Sequence, residues 1–152
     1  NPAKLTNIGS GQILEKLVER GYKTIIVGVG GSATNDGGIG LLIPLGFKFL
    51  DKDGKDIEPT GEGLAKLDKI VPPEKKFSTK FVVATDVGNP LLGKTGAALA
   101  YAEQKGATKE QAEALERNMK RLTEVAKKCV GKVNFLCPRI FYQNTYYTPT
   151  KS

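Results

Sequence analysis

The run Val27-Gly28-Val29-Gly30-Gly31-Ser32-Ala33-Thr34-Asn35-Asp36-Gly37-Gly38 constrains the fold of this chain more than any other stretch. It follows Lys23-Thr24-Ile25-Ile26-Val27, whose β-branched apolar residues predict a buried strand. A strand that runs into glycines and small hydroxyls, and then into an apolar segment, is how α/β chains build anion pockets. Glycine lets the backbone approach a phosphate or carboxylate, and its exposed N–H groups supply the donors. Asn35 and Asp36 add polar groups that a purely structural turn does not need. The run predicts a protein that handles a small anionic substrate or a nucleotide.

Composition narrows the chemistry. At 152 residues, with 39% hydrophobic and 26% charged residues, the chain has the make-up of one globular domain with a real core. No stretch approaches the ~20 apolar residues of a membrane span, and Asn1-Pro2-Ala3 does not open like a signal peptide. The net charge of +7 suits phosphate-bearing ligands. The segment 105–132, however, mixes eight basic residues with four glutamates in a helical pattern, so a solvated helix face is expected there and nucleic acid is not expected as a partner. There is no histidine, and Cys129 and Cys137 are the only cysteines. Cys/His zinc sites and histidine-based triads are thereby excluded, and any general base is a carboxylate, a lysine or a tyrosine. Free thiols in a reducing cytoplasm are expected.

The pattern along the chain predicts a helix over 10–20, with Ser10 as N-cap and Gly21 just past its end. It further predicts a strand at 24–29, a short helix at 39–45 and a strand at 47–50 that turns at Asp53-Gly54. Residues 58–69 read as loop with a short helix near 63–67. Lys80-Phe81-Val82-Val83-Ala84 reads as a second buried strand that runs into the polar turn Thr85-Asp86-Val87-Gly88-Asn89-Pro90. In open α/β sheets, ligands bind at that end of the strands. Residues 93–104 read as a loop and short helix. Thr108 and Gln111 then form a capping box for an amphipathic helix with Ala112, Leu115, Met119, Leu122 and Val125 on one face, and Cys129 is expected on the same seam. The segment 133–152 holds five of the eleven aromatics and no acidic residue, and reads as a hairpin or an unstructured tail.

Two readings of the glycine run compete. Gly28-x-Gly30-x-x-Ala33 fits the dinucleotide fingerprint, and Asp51, after a strand-like segment, stands where a ribose-binding carboxylate belongs. That reading predicts an NAD(P)- or FAD-binding oxidoreductase. Against it, Gly37-Gly38 interrupts the expected crossover helix, since two glycines cost roughly 2 kcal/mol there. Pro44 shortens what remains. The acidic spacing from Asp51 to Asp56, with Glu62, is near that of a calcium loop, but its glycine is misplaced and Lys55 occupies a ligand position, so a plain turn is expected.

The second reading comes from several motifs in order. Gly30-Gly31-Ser32-Ala33-Thr34-Asn35-Asp36-Gly37-Gly38 resembles the signature loop of the bacterial type I glycerate kinases. Gly9-Ser10-Gly11, Leu45-Gly46, Asp51-Lys52-Asp53-Gly54, Asp86-Val87-Gly88-Asn89-Pro90-Leu91, Gly96-Ala97 and Gln104-Lys105-Gly106-Ala107 resemble further segments of that family at similar spacing. Thr85 stands where the family usually has Cys, Gly88 where it often has an acidic residue, and Ala102-Glu103 where it usually has Gly-Pro. The resemblance corresponds to the central part of a longer protein. It implies an incomplete kinase-like α/β domain over 1–128, with a mainly parallel sheet flanked by helices in a larger two-domain kinase, and an aromatic-rich tail over 129–152.

The resemblance also implies Mg²⁺-dependent transfer of phosphate from ATP to glycerate. Phosphoryl transfer needs donors for spreading charge, a carboxylate and strict positioning. On this reading Asp86 is the catalytic base. Gly30, Gly31, Ser32, Asn35, Asp36 and Asn89 bind substrate, and Gly37, Gly38 and Lys105 bind the nucleotide. Asp36 orients the loop or holds Mg²⁺ through water. The competing structural reading is that each aspartate caps local N–H groups. A folded fragment without catalysis is the third alternative, and the isolated chain is expected to be a poor kinase.

Overall fold

The computed structural model describes residues 1–29, 32–75, 77–85 and 88–130. Its elements follow the chain as α1 (Ile8–Glu19), β1 (Thr24–Val29), α2 (Ile39–Leu42), β2 (Lys48–Leu50), β3 (Lys69–Val71), β4 (Lys80–Thr85), α3 (Ala97–Tyr101) and α4 (Lys109–Val130). Short 3-10 turns occupy Pro2–Lys4 and Gly63–Lys66. Gly30, Gly31, Asp86 and the whole 131–152 segment, including Cys137, lie outside the described residues.

β1 and β4 pair in parallel, from Thr24 opposite Lys80 to Val29 opposite Thr85. A parallel pair needs a long crossover, and residues 30–79 supply it. β2 and β3 form a separate antiparallel pair, Lys48 opposite Val71 and Leu50 opposite Lys69. The α/β class with a parallel sheet and flanking helices is therefore observed, joined by an antiparallel pair that the sequence pattern did not reveal. β3 starts at the end of the 58–69 segment read as loop and runs on into Ile70 and Val71, for which no element was expected, because three residues ahead of Pro72-Pro73 are too few to show a period.

β1, expected to be a buried strand, is buried on one side only, while Phe81 to Ala84 of β4 are all half-buried. Successive side chains alternate across a strand, and Ile25 packs in the core while Ile26 is 71% exposed. α1 begins at Ile8, two residues before the Ser10 cap that the sequence suggested, and its N-cap Asn7 makes no side-chain cap bond. Its end agrees with expectation. Gly21 at φ 78° donates to the Val18 carbonyl and Tyr22 to the Leu17 carbonyl, closing a Schellman motif. α2 stops at Leu42 because Pro44 cannot continue it.

α4 is the main structural platform. Ala112, Leu115, Met119, Leu122, Val125 and Ala126 are all buried, as the helical spacing predicted apart from the added Ala126. Each fully buried leucine contributes about 2 kcal/mol of transfer free energy. The capping box forms as expected: Thr108 N–H donates to Gln111 Oε1 at 3.0 Å, and Gln111 N–H to Thr108 Oγ1 at 3.3 Å. Cys129 corrects the reading of the seam: it is exposed, as are Lys127 and Lys128 beside it. α4 packs on α3, β3 and the Gly63–Lys66 turn, and the core residues on its face end at Val125 and Ala126.

Candidate active site

The glycine loop leaves β1 at Val29, and the segment containing Asp86 leaves β4 at Thr85. Because the strands run parallel and those two residues are register partners, both segments depart from the same end of the sheet. That shared end is the ligand edge of an open parallel sheet.

Asp36 is the buried polar residue at the centre of the loop, 1% exposed. Its Oδ2 accepts the Asn7 backbone N–H at 2.9 Å. Its Oδ1 accepts the Gly38 N–H at 2.9 Å and the Asn7 side-chain amide at 3.3 Å. The contact to Gly38, two residues on, closes an Asx turn, and Gly37 and Gly38 follow it at φ 66° and 79°. Two consecutive left-handed residues can be accommodated cheaply only by glycine. With both oxygens held by N–H donors, Asp36 is placed to orient the loop. This geometry favours that role over direct Mg²⁺ ligation.

Gly37 also has a packing role. A Cβ there would lie 2.4 Å from Leu122 Cδ2 and 3.2 Å from Met119 Sδ, so the loop rests directly on α4. Gly37 is buried. Gly38 caps α2 and stays half-buried.

Of the other described loop residues, Ser32 and Ala33 are exposed and Thr34 and Asn35 half-buried. Ser32 is exposed, and its hydroxyl accepts from the Thr34 hydroxyl at 3.3 Å. Asn35 is half-buried, and its carbonyl approaches Gly61 so closely that a Cβ there would sit 2.6 Å away. Lys105 reaches the loop from the α3–α4 junction and donates to the Thr34 carbonyl at 2.8 Å. Burial pushes its pKa below the usual lysine value, and the nearby Asp36 charge opposes that shift.

Asn89 lies in the turn after β4, half-buried. Its Nδ2 donates to the Thr95 carbonyl at 3.0 Å, and its Oδ1 accepts the Tyr101 hydroxyl at 2.6 Å. Asn7, Tyr101 and Glu116, which accepts the Gly93 N–H at 2.7 Å, are site-building residues that the motif reading missed. Each acts across a separation in sequence that no local pattern reports.

The dinucleotide alternative finds no support in this geometry. Asp51 sits at the end of β2, in a different sheet from β1. Its Oδ1 accepts from the Asp53 and Lys55 N–H groups at 2.9 Å, which makes it the cap of a plain turn, as expected against the calcium-loop reading. After β1 there is a turn and a four-residue helix in place of a crossover helix starting on the glycines. A separate cleft of about 390 Å³ on the sheet face is walled by Leu14, Val27, Val29, Phe81 and Val83, and its apolar lining is unsuited to a phosphate.

Comparison with known proteins agrees with the motifs. A family model described as "Glycerate kinase family" matches residues 1–137. The chain is 37% identical to a glycerate kinase of Bacillus subtilis over 86% of its own length and 35% of that relative's. It is 38% identical to a glycerate 2-kinase of Escherichia coli, again over 86% of this chain and 35% of the relative. A Salmonella typhimurium LT2 crystal structure, described as glycerate kinase 2, superposes with a TM-score of 0.82 at 36% identity, covering 91% of this chain and 39% of that one. The chain thus spans about a third of the length of the curated relatives it matches. With a family match over most of its length, and the motif-bearing loops at one end of a parallel strand pair, this chain belongs to the glycerate kinase family.

Proposed function

We propose that this chain carries part of a phosphotransferase site that converts ATP and glycerate to ADP and phosphoglycerate. The observation that supports it most is the departure of the glycine loop and the Asp86 segment from one end of the β1–β4 pair. In this reading Asp86 takes the proton of the attacking glycerate hydroxyl. The hydroxyl oxygen bonds to the γ-phosphorus as the bond to the ADP oxygen breaks. Ser32, Asn35 and Asn89, with the N–H groups of Gly30 and Gly31, bind substrate. Gly38 and the ammonium of Lys105 lie toward the nucleotide, and Lys105 keeps two further N–H donors beyond the one given to Thr34. Mg²⁺ would be carried largely by the nucleotide phosphates. Asp36 is not proposed as its ligand, because its oxygens already accept three N–H bonds. A cytoplasmic setting, supported by the cysteine usage, belongs to the same proposal.

The test pairs turnover with binding. The chain is incubated with ATP, Mg²⁺ and glycerate, and NADH is titrated in parallel. Slow phosphoglycerate formation by the parent chain, lost in Asp86→Asn with nucleotide binding retained, is the expected result, and silence in both assays favours a fragment without catalysis. Turnover untouched by that substitution removes Asp86 from the mechanism. Saturable NADH binding without ATP turnover overturns the kinase reading.

A further inference from the structure

The turn that carries Asn89 is held in place from α3 and α4. Pro90 accepts the Ala97 N–H at 3.0 Å, Glu116 accepts the Gly93 N–H at 2.7 Å, and Tyr101 donates to Asn89 at 2.6 Å. The last of these has a direction that chemistry dictates. A carbonyl oxygen only accepts, so the Thr95 carbonyl requires the Nδ2 end of the Asn89 amide on its side. That turns Oδ1 toward Tyr101, and the phenol must then donate its one proton. The amide is left with a single N–H and one oxygen lone pair for any ligand, in a known orientation.

We propose that Tyr101 is a positioning residue: its hydroxyl proton locks the Asn89 amide and thereby sets the turn at 88–96 that follows β4. The substrate consequence rests on the reading of Asn89 as a glycerate-binding residue. Tyr101 touches neither glycerate nor nucleotide in this scheme. It acts by removing the rotational freedom of the amide before substrate arrives, which is where preorganised sites gain affinity. Tyr101→Phe keeps the ring and removes only the proton. Loss of one such hydrogen bond predicts about a five-fold weakening of glycerate binding, with nucleotide binding unchanged.

The experiment compares the parent chain, Tyr101→Phe, Asn89→Ala and the double variant, by amide hydrogen exchange without ligand and by glycerate titration. Tyr101→Phe should speed exchange at Gly93 and Ala97 about five-fold while Leu122, in the middle of α4, keeps its protection. In the Asn89→Ala background the same substitution should add nothing. Faster exchange across α4 as well, or an equal effect with Asn89 absent, overturns the proposal in favour of general destabilisation. If Tyr101→Phe fails to fold, the parent chain still decides: slow rotation of the Asn89 side-chain amide and its contacts to the Tyr101 ring in NMR support the lock, and fast rotation overturns it. Glycerate titration of the parent chain judges the functional reading separately, since the exchange measurements contain no ligand.

Discussion

The carboxylate of Asp36 holds both the backbone and the side-chain N–H of Asn7, 29 residues earlier in the chain, at 2.9 and 3.3 Å. This one side chain ties the start of α1 to the glycine loop, and with the Gly38 N–H it serves three donors in a buried place. Removing an acceptor that serves buried donors costs more than the bonds themselves return, because the donors stay dehydrated and unpaired. Asp36→Ala should therefore destabilise the fold by about 3 kcal/mol. Asp36→Asn should lie between the two, since one oxygen remains but an NH₂ now opposes an N–H donor. Urea titrations of the three proteins measure this, and a loss below about 1 kcal/mol for Asp36→Ala means that the carboxylate does not hold α1 to the loop.

A contrast between two glycines of α1 tests how closely it meets α2. A Cβ at Gly11 would lie 2.5 Å from the Gly40 carbonyl oxygen and 3.0 Å from Leu41 Cα, both backbone atoms that cannot swing aside. Gly11→Ala should cost about 1–3 kcal/mol through forced separation of the helices. A Cβ at Gly9 meets nothing within 4 Å, so Gly9→Ala should be neutral or stabilise by up to about 1 kcal/mol through helix propensity. Opposite signs from the same substitution two residues apart identify close approach as the cause. Equal signs contradict it.

The capping box offers a smaller and cleaner effect. Thr108→Ala removes the hydroxyl that accepts the Gln111 N–H, at the first turn of the 22-residue α4. The expected loss is about 1 kcal/mol, with Thr108→Ser retaining most of the stability. Thermal unfolding of the three proteins is sufficient to measure it.

What could be read in the sequence was local or periodic. The α4 face from Ala112 to Val125, the Thr108–Gln111 box and the Gly21 terminus each follow from residues within a few positions of one another, and each is observed. The failures share a different cause. Ile26 and Val27 look alike in sequence, yet only tertiary neighbours decide that Ile26 stays open to solvent. β3 carries three residues, too short for any period to register. Cys129 has the right heptad position, but burial requires something packed opposite it. Within the site, motif spacing named Asp36, Asn89 and Lys105. Their partners Asn7, Tyr101 and Thr34 depend on how the chain returns on itself: Lys105 and Thr34 are 71 residues apart.

Lys105 also gives the site a pH dependence whose sign can be worked out. Its ammonium donates to the Thr34 carbonyl at 2.8 Å from a half-buried position, and burial lowers its pKa from 10.5, with Asp36 opposing. The folded state therefore binds this proton more weakly than the unfolded chain does. Below the folded pKa both states are protonated, and the full penalty of the buried charge is present. As pH rises through the folded pKa toward 10.5 the unfolded chain still holds the proton that the folded protein has released, so this group's contribution to stability rises with pH. The unfolding free energy of the parent chain minus that of Lys105→Met should accordingly increase across that alkaline window and be flat below it. A ¹³Cε titration of the Lys105 side chain should show a midpoint under 10.5. If the midpoint sits at or above that value while the Thr34 contact persists, the ammonium is better solvated than its position in the fold implies. The tether would then be an exposed contact of little energetic weight.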